Sequence, residues 1–333
     1  MKRTGIEIIV LDSLRVGYKT GKNVYPILPA ISASSTGGEL IAVIGRNGIG
    51  KSTMLRTIAG LQPSLGGQVI LDGKSASDYS RIELARSIGY ISTEVVRVSN
   101  MRVADLVALG RFPHSNWLGS IDHPGRMVIE NSIARTGLTA LRNRYVTELS
   151  DGERQKAMIA RVLAQDTTLM IMDEPTAFLD IAGKFEIVNL MLELTRDGKT
   201  IIFSTHDFNV AMNQADKIWL ILENGLIEGS PEDLLLAGAF EHLFESSVVK
   251  FDSGDGGFSM LTESKGEIFV KGGGIFRKWT EKAVSRAGYQ VTDSMTNPYI
   301  QVPARSEEKW LLVMDGKTEG FSSIYGLVRG LQK

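Results

Sequence analysis

The chain has 333 residues, of which 43% are hydrophobic and 23% charged, a composition typical of a globular protein with two domains. Its net charge of -1 gives no electrostatic support for nonspecific binding to a nucleic-acid backbone. It has no cysteine, which excludes disulfides, thiolate metal sites and cysteine catalysis. No apolar run approaches the ~20 residues of a membrane span, so we expect a cytosolic protein or one attached to a membrane through partners.

The N-terminal residues predict two short strands, over residues 7–11 and 14–18, followed by a turn around Gly21. Tyr18 ends the second strand. An aromatic ring ahead of a phosphate-binding loop can stack on a nucleotide base. Packing against neighbouring side chains is the alternative for an aromatic residue at the end of a strand, and both interpretations stay open.

A glycine-rich segment follows the apolar strand predicted over residues 40–44 and leads into a helix that ends at Gly60. A strand, such a turn and a helix together are typical of a phosphate-binding loop, in which backbone amides and the helix N-terminus attract phosphate. We expect Lys51 to reach the terminal phosphates, Ser52 to bind Mg²⁺ and Thr53 to contact an inner phosphate. An ordinary glycine-rich turn with an exposed lysine is the alternative. The residues assigned to nucleotide binding in this loop are Gly45, Asn47, Gly48, Gly50, Lys51, Ser52 and Thr53.

The next part of the chain alternates once more between strand and helix and then becomes mostly helical. Strands are predicted over residues 68–71 and 88–91, with a helix over 79–87 between them, and helices dominate residues 92–147. Residues 111–119 form a loop that carries Phe112 and Trp117. Because large aromatic side chains are costly to expose, composition alone favours their packing into a small core over a contact surface.

Ser150 and Glu153 are spaced as a capping box, which predicts that a helix begins after Ser150. A serine hydroxyl and a glycine amide at a helix N-terminus are also good donors to phosphate, so Ser150 and Gly152 are candidate phosphate ligands.

Two carboxylates follow the fully apolar strand predicted over residues 169–172. The carboxyl ends of parallel strands are where α/β sheets bind ligands. We therefore expect Asp173 to hold Mg²⁺ through water and Glu174 to polarise the attacking water. His206 ends another buried strand, over residues 200–205, and is expected to contact the γ-phosphate.

The C-terminal third contains a hairpin around Gly225, a helix that begins after Ser230, and then a separate group of elements. That group is predicted to hold a hairpin (248–251 and 258–261), three strands (267–270, 299–302 and 310–314) and two helices (275–287 and 321–331). It forms a small α/β appendage of unknown role. The glycines 272–274 lack the lysine of a phosphate loop, so a turn is the favoured interpretation, and self-association or regulatory docking is favoured over ligand binding.

Over residues 5–235 the chain resembles the ATP-binding subunit of ABC transporters. The resemblance is carried in order by Tyr18 (A-loop), residues 45–53 (Walker A), 149–153 (signature), 169–174 (Walker B), 177–180 (D-loop) and His206 (H-loop). It implies an α/β P-loop ABC-type ATPase with an antiparallel β subdomain and a helical subdomain, plus the small C-terminal α/β appendage. The implied domains are 1–238, with the helical subdomain at about 92–165, and 239–333.

The resemblance further implies ATP and Mg²⁺ as cofactors and a head-to-tail homodimer. In such a dimer Ser150 and Gly152 of one subunit would close over the ATP held by the Walker A segment of the other, with Asp180 beside the nucleotide. Glu174, His206 and Lys51 are implied to be catalytic.

Residues 107–114 and 117–119 are similar to the corresponding part of ATPases that energise import of iron-siderophores, haem or cobalamin. This similarity favours a contact surface for integral membrane permease subunits and, indirectly, work with an extracytoplasmic substrate-binding protein. It implies a peripheral location at the cytoplasmic face of the inner membrane. The near-neutral charge and the single nucleotide unit without a long coiled-coil insertion disfavour a nucleic-acid partner. A soluble ABC ATPase in assembly or scaffolding is the alternative.

The chain departs from the family pattern at three places. Thr93 and Glu94 stand where a Q-loop glutamine is expected, and Glu94 is a candidate metal ligand in its place. The signature has Asp151 and Glu153 where glycine and glutamine are commoner, and Phe178 replaces a small D-loop residue. None of these changes removes a Walker residue, so we expect hydrolysis.

Overall fold

The computed structural model describes residues 7–93, 100–115, 120–244, 249–252, 257–260 and 264–332. The chain divides into two compact units. The first comprises Met1–Glu245 with Phe251–Gly257, and the second comprises Ser246–Lys250 with Phe258–Lys333.

The strands of the first unit are β1 (Glu7–Thr20), β2 (Asn23–Thr36), β3 (Leu40–Gly45), β4 (Gly66–Leu71), β5 (Lys74–Ser75), β6 (Ile88–Ile91), β7 (Leu169–Met172), β8 (Thr200–Ser204), β9 (Lys217–Leu222) and β10 (Gly225–Gly229). Its helices are α1 (Lys51–Ile58), α2 (Arg81–Ser87), α3 (Val103–Ala108), α4 (His123–Arg135), α5 (Asp151–Ala164), α6 (Ile181–Arg196), α7 (Phe208–Gln214) and α8 (Pro231–Leu236). Short 3₁₀ turns include Leu109–His114.

The remaining elements are the two-stranded sheet of β11 (Val249–Asp252) and β12 (Gly257–Met260), then β13 (Glu267–Lys271), α9 (Gly274–Arg286), β14 (Gln290–Thr292), β15 (Tyr299–Gln301), β16 (Trp310–Met314), β17 (Lys317–Phe321) and α10 (Ile324–Gly330).

The first strand corrects one sequence prediction. The two short strands predicted over residues 7–18 are a single strand, β1, which pairs antiparallel with β2 and with β4. The register shifts between Leu11 and Leu14, and Ser13 has a φ of 48°. This bulge lets both Leu11 and Leu14 face the core, although they are three positions apart. Strand β2 was not predicted.

A six-stranded sheet in the order β10-β9-β3-β8-β7-β6 positions the site. Strands β9, β3, β8, β7 and β6 run parallel, and β10 is an antiparallel edge. Every residue of β3, β7 and β8 is buried, as expected for strands covered on both faces. Because these three strands are neighbours, the segments that follow them meet at one edge of the sheet.

Helices α3, α4 and α5 pack together beside this sheet through a shared apolar core. The predicted mostly helical character of residues 92–147 is confirmed, and Val103, Leu106, Val107, Ile129 and Ile133 are all buried in this core. The predicted capping box is confirmed too. The Glu153 N–H donates to Ser150 Oγ (3.2 Å), and the Ser150 N–H donates to Glu153 Oε2 (2.8 Å).

The second unit contains a five-stranded sheet in the order β14-β13-β15-β16-β17. Helices α9 and α10 contribute to one core that includes Ile268, Ile300, Trp310 and Leu327. Strands β14 and β17 were not predicted, and the prediction that Phe321 begins the last helix is wrong because Phe321 ends β17. The left-handed residues Asp315 and Gly316 form the tight turn that returns the chain as β17.

Candidate functional site

The glycine-rich loop joins β3 to α1 and leaves the N-terminus of that helix without a side-chain cap. Gly50 occupies the N-cap position with a φ of 113°, which side-chain-bearing residues rarely adopt. A Cβ there would lie 2.5 Å from Ile27 Cγ2. The uncapped N–H groups of α1 are suited to bind an anion such as phosphate.

Lys51 lies folded over this loop with only 6% of its surface exposed. Its Nζ donates to Gly45 O (2.8 Å) and Arg46 O (3.2 Å). Burial lowers the pKa of Lys51, and the negative charges of Glu174 and Asp173 act in the opposite direction. The loop therefore holds a cation whose two hydrogen bonds are to uncharged carbonyls, which an anionic ligand can replace with stronger ones.

A hydroxyl and a carboxylate meet between α1 and the end of β7. Ser52 Oγ donates to Asp173 Oδ1 (3.0 Å), and Asp173 is almost fully buried. Hydroxyl and carboxylate oxygens are ligands that Mg²⁺ accepts, usually beside substrate phosphates. No cluster of three or more His, Cys, Asp or Glu side chains suited to a metal occurs among the described residues. The donor set therefore fits a Mg²⁺ ion that a phosphate ligand helps to hold.

Glu174 and His206 are in direct contact at the same edge of the sheet. The distance from His206 Nε2 to Glu174 Oε1 is 2.5 Å, and both side chains are partly exposed. Glu174 has a φ of 51°, an uncommon conformation for a residue other than glycine. Such strain often occurs where a side chain must point in a set direction, so the backbone here aims the carboxylate beside the imidazole.

Tyr18 lies against the first turn of α1. Its hydroxyl and Thr53 Oγ1 are 3.0 Å apart, and its ring remains about half exposed. The fold thus brings the aromatic residue at the end of the predicted strand to the glycine-rich loop, 35 residues further along the chain.

The signature and D-loop residues Ser150 and Asp180 form capping hydrogen bonds at the start of the helices that follow them. Ser150 caps α5, Asp180 caps α6 by accepting from the Gly183 N–H (2.7 Å), and a Cβ on Gly152 would meet no atom within 4 Å. Within the described parts of the chain, no hydrogen bond joins Ser150 or Asp180 to the glycine-rich loop. Within the described residues of a single chain, Ser150 and Asp180 therefore form no hydrogen bond with the loop that carries Lys51.

A cavity of about 300 Å³ lies between the start of α5 and the segment after β7. Its lining includes Thr93, Asp151, Glu174 and Phe178. Thr93 does not point freely into it, because its Oγ1 donates to Asp173 O (3.2 Å). The candidate metal ligand Glu94 lies outside the described residues, as does Trp117.

Phe112 is 75% exposed, contrary to the composition-based expectation that it packs into a core. Its neighbours hold the 3₁₀ turn in place: Arg111 donates to Ala164 O (3.0 Å), and His114 Nε2 lies 2.9 Å from Gln165 O. The turn is therefore fixed to the end of α5 while the ring faces outward, which agrees with the alternative of a contact surface.

Tyr90, in β6, carries a buried hydroxyl that lies close to Arg56 and Asp173. Burial, followed by the negative charge of Asp173, raises its pKa to about 12. The neutral phenol is therefore strongly favoured in the folded state.

We expect Tyr90→Phe to lose less stability in alkali than the wild type does. Between about pH 10 and pH 12 an unfolded tyrosine ionises while the folded Tyr90 stays protonated, so folding stability falls as the pH rises. Thermal unfolding at about pH 8 and about pH 11 measures this. The exposed Tyr25→Phe is the control, and equal alkaline losses in the wild type and Tyr90→Phe would contradict the assignment.

Comparison with known proteins identifies the family. A model described as ABC transporter matches residues 28–177, and one described as iron ABC transporter C-terminal domain matches residues 265–332. The petrobactin import ATP-binding protein FpuC of Bacillus anthracis is 35% identical over 221 residues, which span 66% of this chain and 81% of that protein. The chain belongs to the ABC transporter ATP-binding family. As a member of this family it is an ATP-binding and ATP-hydrolysing cassette, and its predicted fold class is confirmed.

Other relatives of the cassette agree. The ferric enterobactin transport ATP-binding protein FepC of Escherichia coli is 34% identical over 235 residues, which span 70% of this chain and 85% of that protein. The structure of cbiO1 from Clostridium perfringens, part of the ABC transporter complex cbiONQ, has a TM-score of 0.61 at 28% identity and covers 70% of this chain and 92% of that one. A dimeric bacterial ABC transporter cassette has a TM-score of 0.59 at 26% identity, over 67% of this chain and 99% of that one. None of the described helices of the present cassette is long and apolar enough to span a membrane.

Sequence reasoning missed Ser204 and Tyr90, which lie beside the acidic pair Asp173 and Glu174. Both are polar side chains near the C-terminal end of an otherwise apolar strand. A polar residue at that position in a buried parallel strand was the available signal.

Proposed function

We propose that this cassette is the ATP-hydrolysing subunit of an importer that takes up iron-siderophore, haem or cobalamin through separate membrane subunits. The observation that carries the proposal is the match of residues 265–332 to an iron ABC transporter C-terminal domain in the same chain as the cassette. The names of the relatives, which import petrobactin or transport ferric enterobactin, support the same substrate class.

The residues of the site fit a bound Mg·ATP. Tyr18 would stack on the base, the loop from Gly45 to Thr53 would surround the phosphates, and Lys51 would exchange its two carbonyls for phosphate oxygens. Ser52 and Asp173 would hold Mg²⁺, which supplies positive charge at the terminal phosphates.

Glu174 and His206 are the two side chains of this protein that would act directly in ATP hydrolysis. Glu174, aimed by its left-handed backbone, would accept a proton from the attacking water. His206, 2.5 Å from that carboxylate, would hold it in place and contact the γ-phosphate. The cavity beside Glu174 gives water access to the carboxylate.

A second copy of the chain would complete each site. Ser150 and Gly152 lie at the capped N-terminus of α5, which makes no hydrogen bond to the loop within the described chain and where a Cβ on Gly152 would meet no atom within 4 Å, so both residues are accessible to ATP held by another subunit. The exposed Phe178 follows the Walker B segment and leads to Asp180, which would lie at the same subunit boundary. We propose a head-to-tail homodimer with two shared sites.

The turn that carries Phe112 is the proposed contact for the membrane permease. Its ring is exposed while Arg111 and His114 fix the turn to α5, the helix that begins at the signature. A partner that presses on this turn would therefore act on the helix whose N-terminus contacts ATP. The cassette would be peripheral at the cytoplasmic face of the inner membrane and would meet a substrate-binding protein only through the permease.

Recovery of the tagged protein from detergent-solubilised membranes of its host tests the proposal. We expect the wild type to bring down a polytopic membrane subunit and Phe112→Ala to lose that subunit, because an exposed aromatic anchor is removed. Nucleotide binding should be unchanged in this variant. The exposed Leu236→Ala is the control. Recovery of only soluble proteins with the wild type would overturn the importer and favour a role in assembly.

A further inference from the structure

We infer that Ser204 is a positioning residue that sets both acidic side chains of the ATPase site through one hydroxyl. Ser204 is fully buried at the C-terminal end of β8, next to β7. Its Oγ donates to Asp173 Oδ1 (2.7 Å) and accepts from the Glu174 N–H (2.8 Å). The inference rests on the proposed roles of Asp173 as metal ligand and Glu174 as base.

The direction of both bonds follows from the partners. An ionised carboxylate only accepts and a backbone N–H only donates, while a hydroxyl has one proton to give and lone pairs to accept with. The Ser204 hydroxyl must therefore donate a hydrogen bond to the Asp173 carboxylate and accept one from the Glu174 N–H. No other arrangement of this hydroxyl satisfies both neighbours, so its orientation is fixed.

The bond to the Glu174 N–H bears on the uncommon backbone of that residue. The segment after β7 is held on one side by the bond from the Asp173 N–H to Ile91 O (2.8 Å), in β6. Ser204 Oγ holds it on the other side at the next residue, where φ is 51°. Without this acceptor the Glu174 N–H would lose its hydrogen bond to the buried Ser204, and the strained conformation that aims Glu174 would lose support.

The bond to Asp173 bears on the metal site. Ser52 and Ser204 donate to the same oxygen, Oδ1, and approach it from different elements, α1 and β8. Two donors on one oxygen fix the plane of the carboxylate. Ser52 can donate its hydrogen bond to Asp173 while its lone pairs face Mg²⁺, but only if the Asp173 carboxylate keeps this orientation. Ser204 holds that orientation from the core.

The test compares Ser204→Ala with Ser204→Thr and with Ser35→Ala. Ser35 is also fully buried and also donates to a carboxylate, Glu39 Oε2 (2.9 Å), but it lies in β2 away from the acidic pair. Ser35→Ala therefore reproduces the loss of a buried hydroxyl without touching the site. Steady-state ATP hydrolysis and the rise in melting temperature with ATP are both measured as Mg²⁺ is titrated.

We expect Ser204→Ala to lower kcat about tenfold and to raise the half-saturating Mg²⁺ concentration several-fold in both measurements, the size typical of one hydrogen bond to a charged group. Ser204→Thr, which keeps the hydroxyl, should restore most of both values. Ser35→Ala should lower the melting temperature without ATP and leave the Mg²⁺ dependence unchanged. If Ser204→Ala does not fold, Ser204→Cys replaces it, with an intermediate loss expected for a weak donor.

Wild-type kcat and Mg²⁺ dependence in Ser204→Ala would overturn the inference, as would a change in Ser35→Ala equal to that in Ser204→Ala. Either result leaves the proposed function standing, provided that the wild type hydrolyses ATP. A wild-type protein without Mg²⁺-dependent ATP hydrolysis would instead refute the proposed function.

Discussion

Glu174→Gln is expected to keep ATP bound while steady-state hydrolysis falls by roughly a hundredfold to ten-thousandfold, the usual contribution of a general base. The amide has the shape of the carboxylate and preserves the environment beside His206, but it cannot take a proton from water. Phosphate release measures hydrolysis, and nucleotide retained after gel filtration measures binding. Because ATP would persist in the shared sites, the variant should also elute as a dimer in the presence of Mg·ATP.

Glu232→Gln is the matched control for this variant. Glu232 is an exposed acid in the first turn of α8, and the change removes the same charge away from the acidic pair. It should hydrolyse ATP at the wild-type rate. Wild-type hydrolysis in Glu174→Gln would refute the role of Glu174 as base and would leave nucleotide binding by the loop intact.

Lys51→Ala is expected to weaken ATP binding by at least about a hundredfold, equivalent to ~3 kcal/mol. The lysine is the buried cation of the phosphate loop, and its hydrogen bonds to an anionic acceptor would be formed only with the nucleotide present. Since a ligand stabilises the folded state in proportion to the logarithm of one plus the ratio of its free concentration to its Kd, the variant should show little rise in melting temperature with Mg·ATP.

Without nucleotide the same variant should melt close to the wild-type temperature. It loses two hydrogen bonds, to Gly45 O and Arg46 O, but also a buried charge whose pKa burial has lowered. Lys19→Ala, at the exposed end of β1, should keep the full response to Mg·ATP. A wild-type response in Lys51→Ala would show that the loop binds nucleotide by its backbone alone.

Much of the site was predictable because its signals are local. The phosphate loop depends on glycines and a lysine within nine residues, and the capping box at Ser150 depends on residues three apart. Asp173 and Glu174 were recognisable because they directly follow a fully apolar strand. In each case the pattern and the structure that it forms lie within one short stretch of chain.

The exposed aromatic side chain of Phe112 shows where composition fails. The cost of exposing a ring favours a packed position, but Arg111, His114 and the close approach of the turn to α5 fix the backbone so that the ring points outward. The partners of Arg111 and His114, Ala164 and Gln165, lie more than 50 residues further along the chain. In the second unit, β17 was not predicted and its last residue, Phe321, was placed in the following helix, because the exposed residues of β17 have no apolar alternation.

The sequence by itself determined the family, the phosphate loop and the identity of the acidic pair, since each is written in consecutive residues. Only the tertiary structure decided which side chains meet. The strand order β9-β3-β8-β7-β6 places the end of β8 beside that of β7, which brings His206 to Glu174 and Ser204 to Asp173. Strand order depends on how distant segments pack into one buried sheet, and no local pattern carries that information.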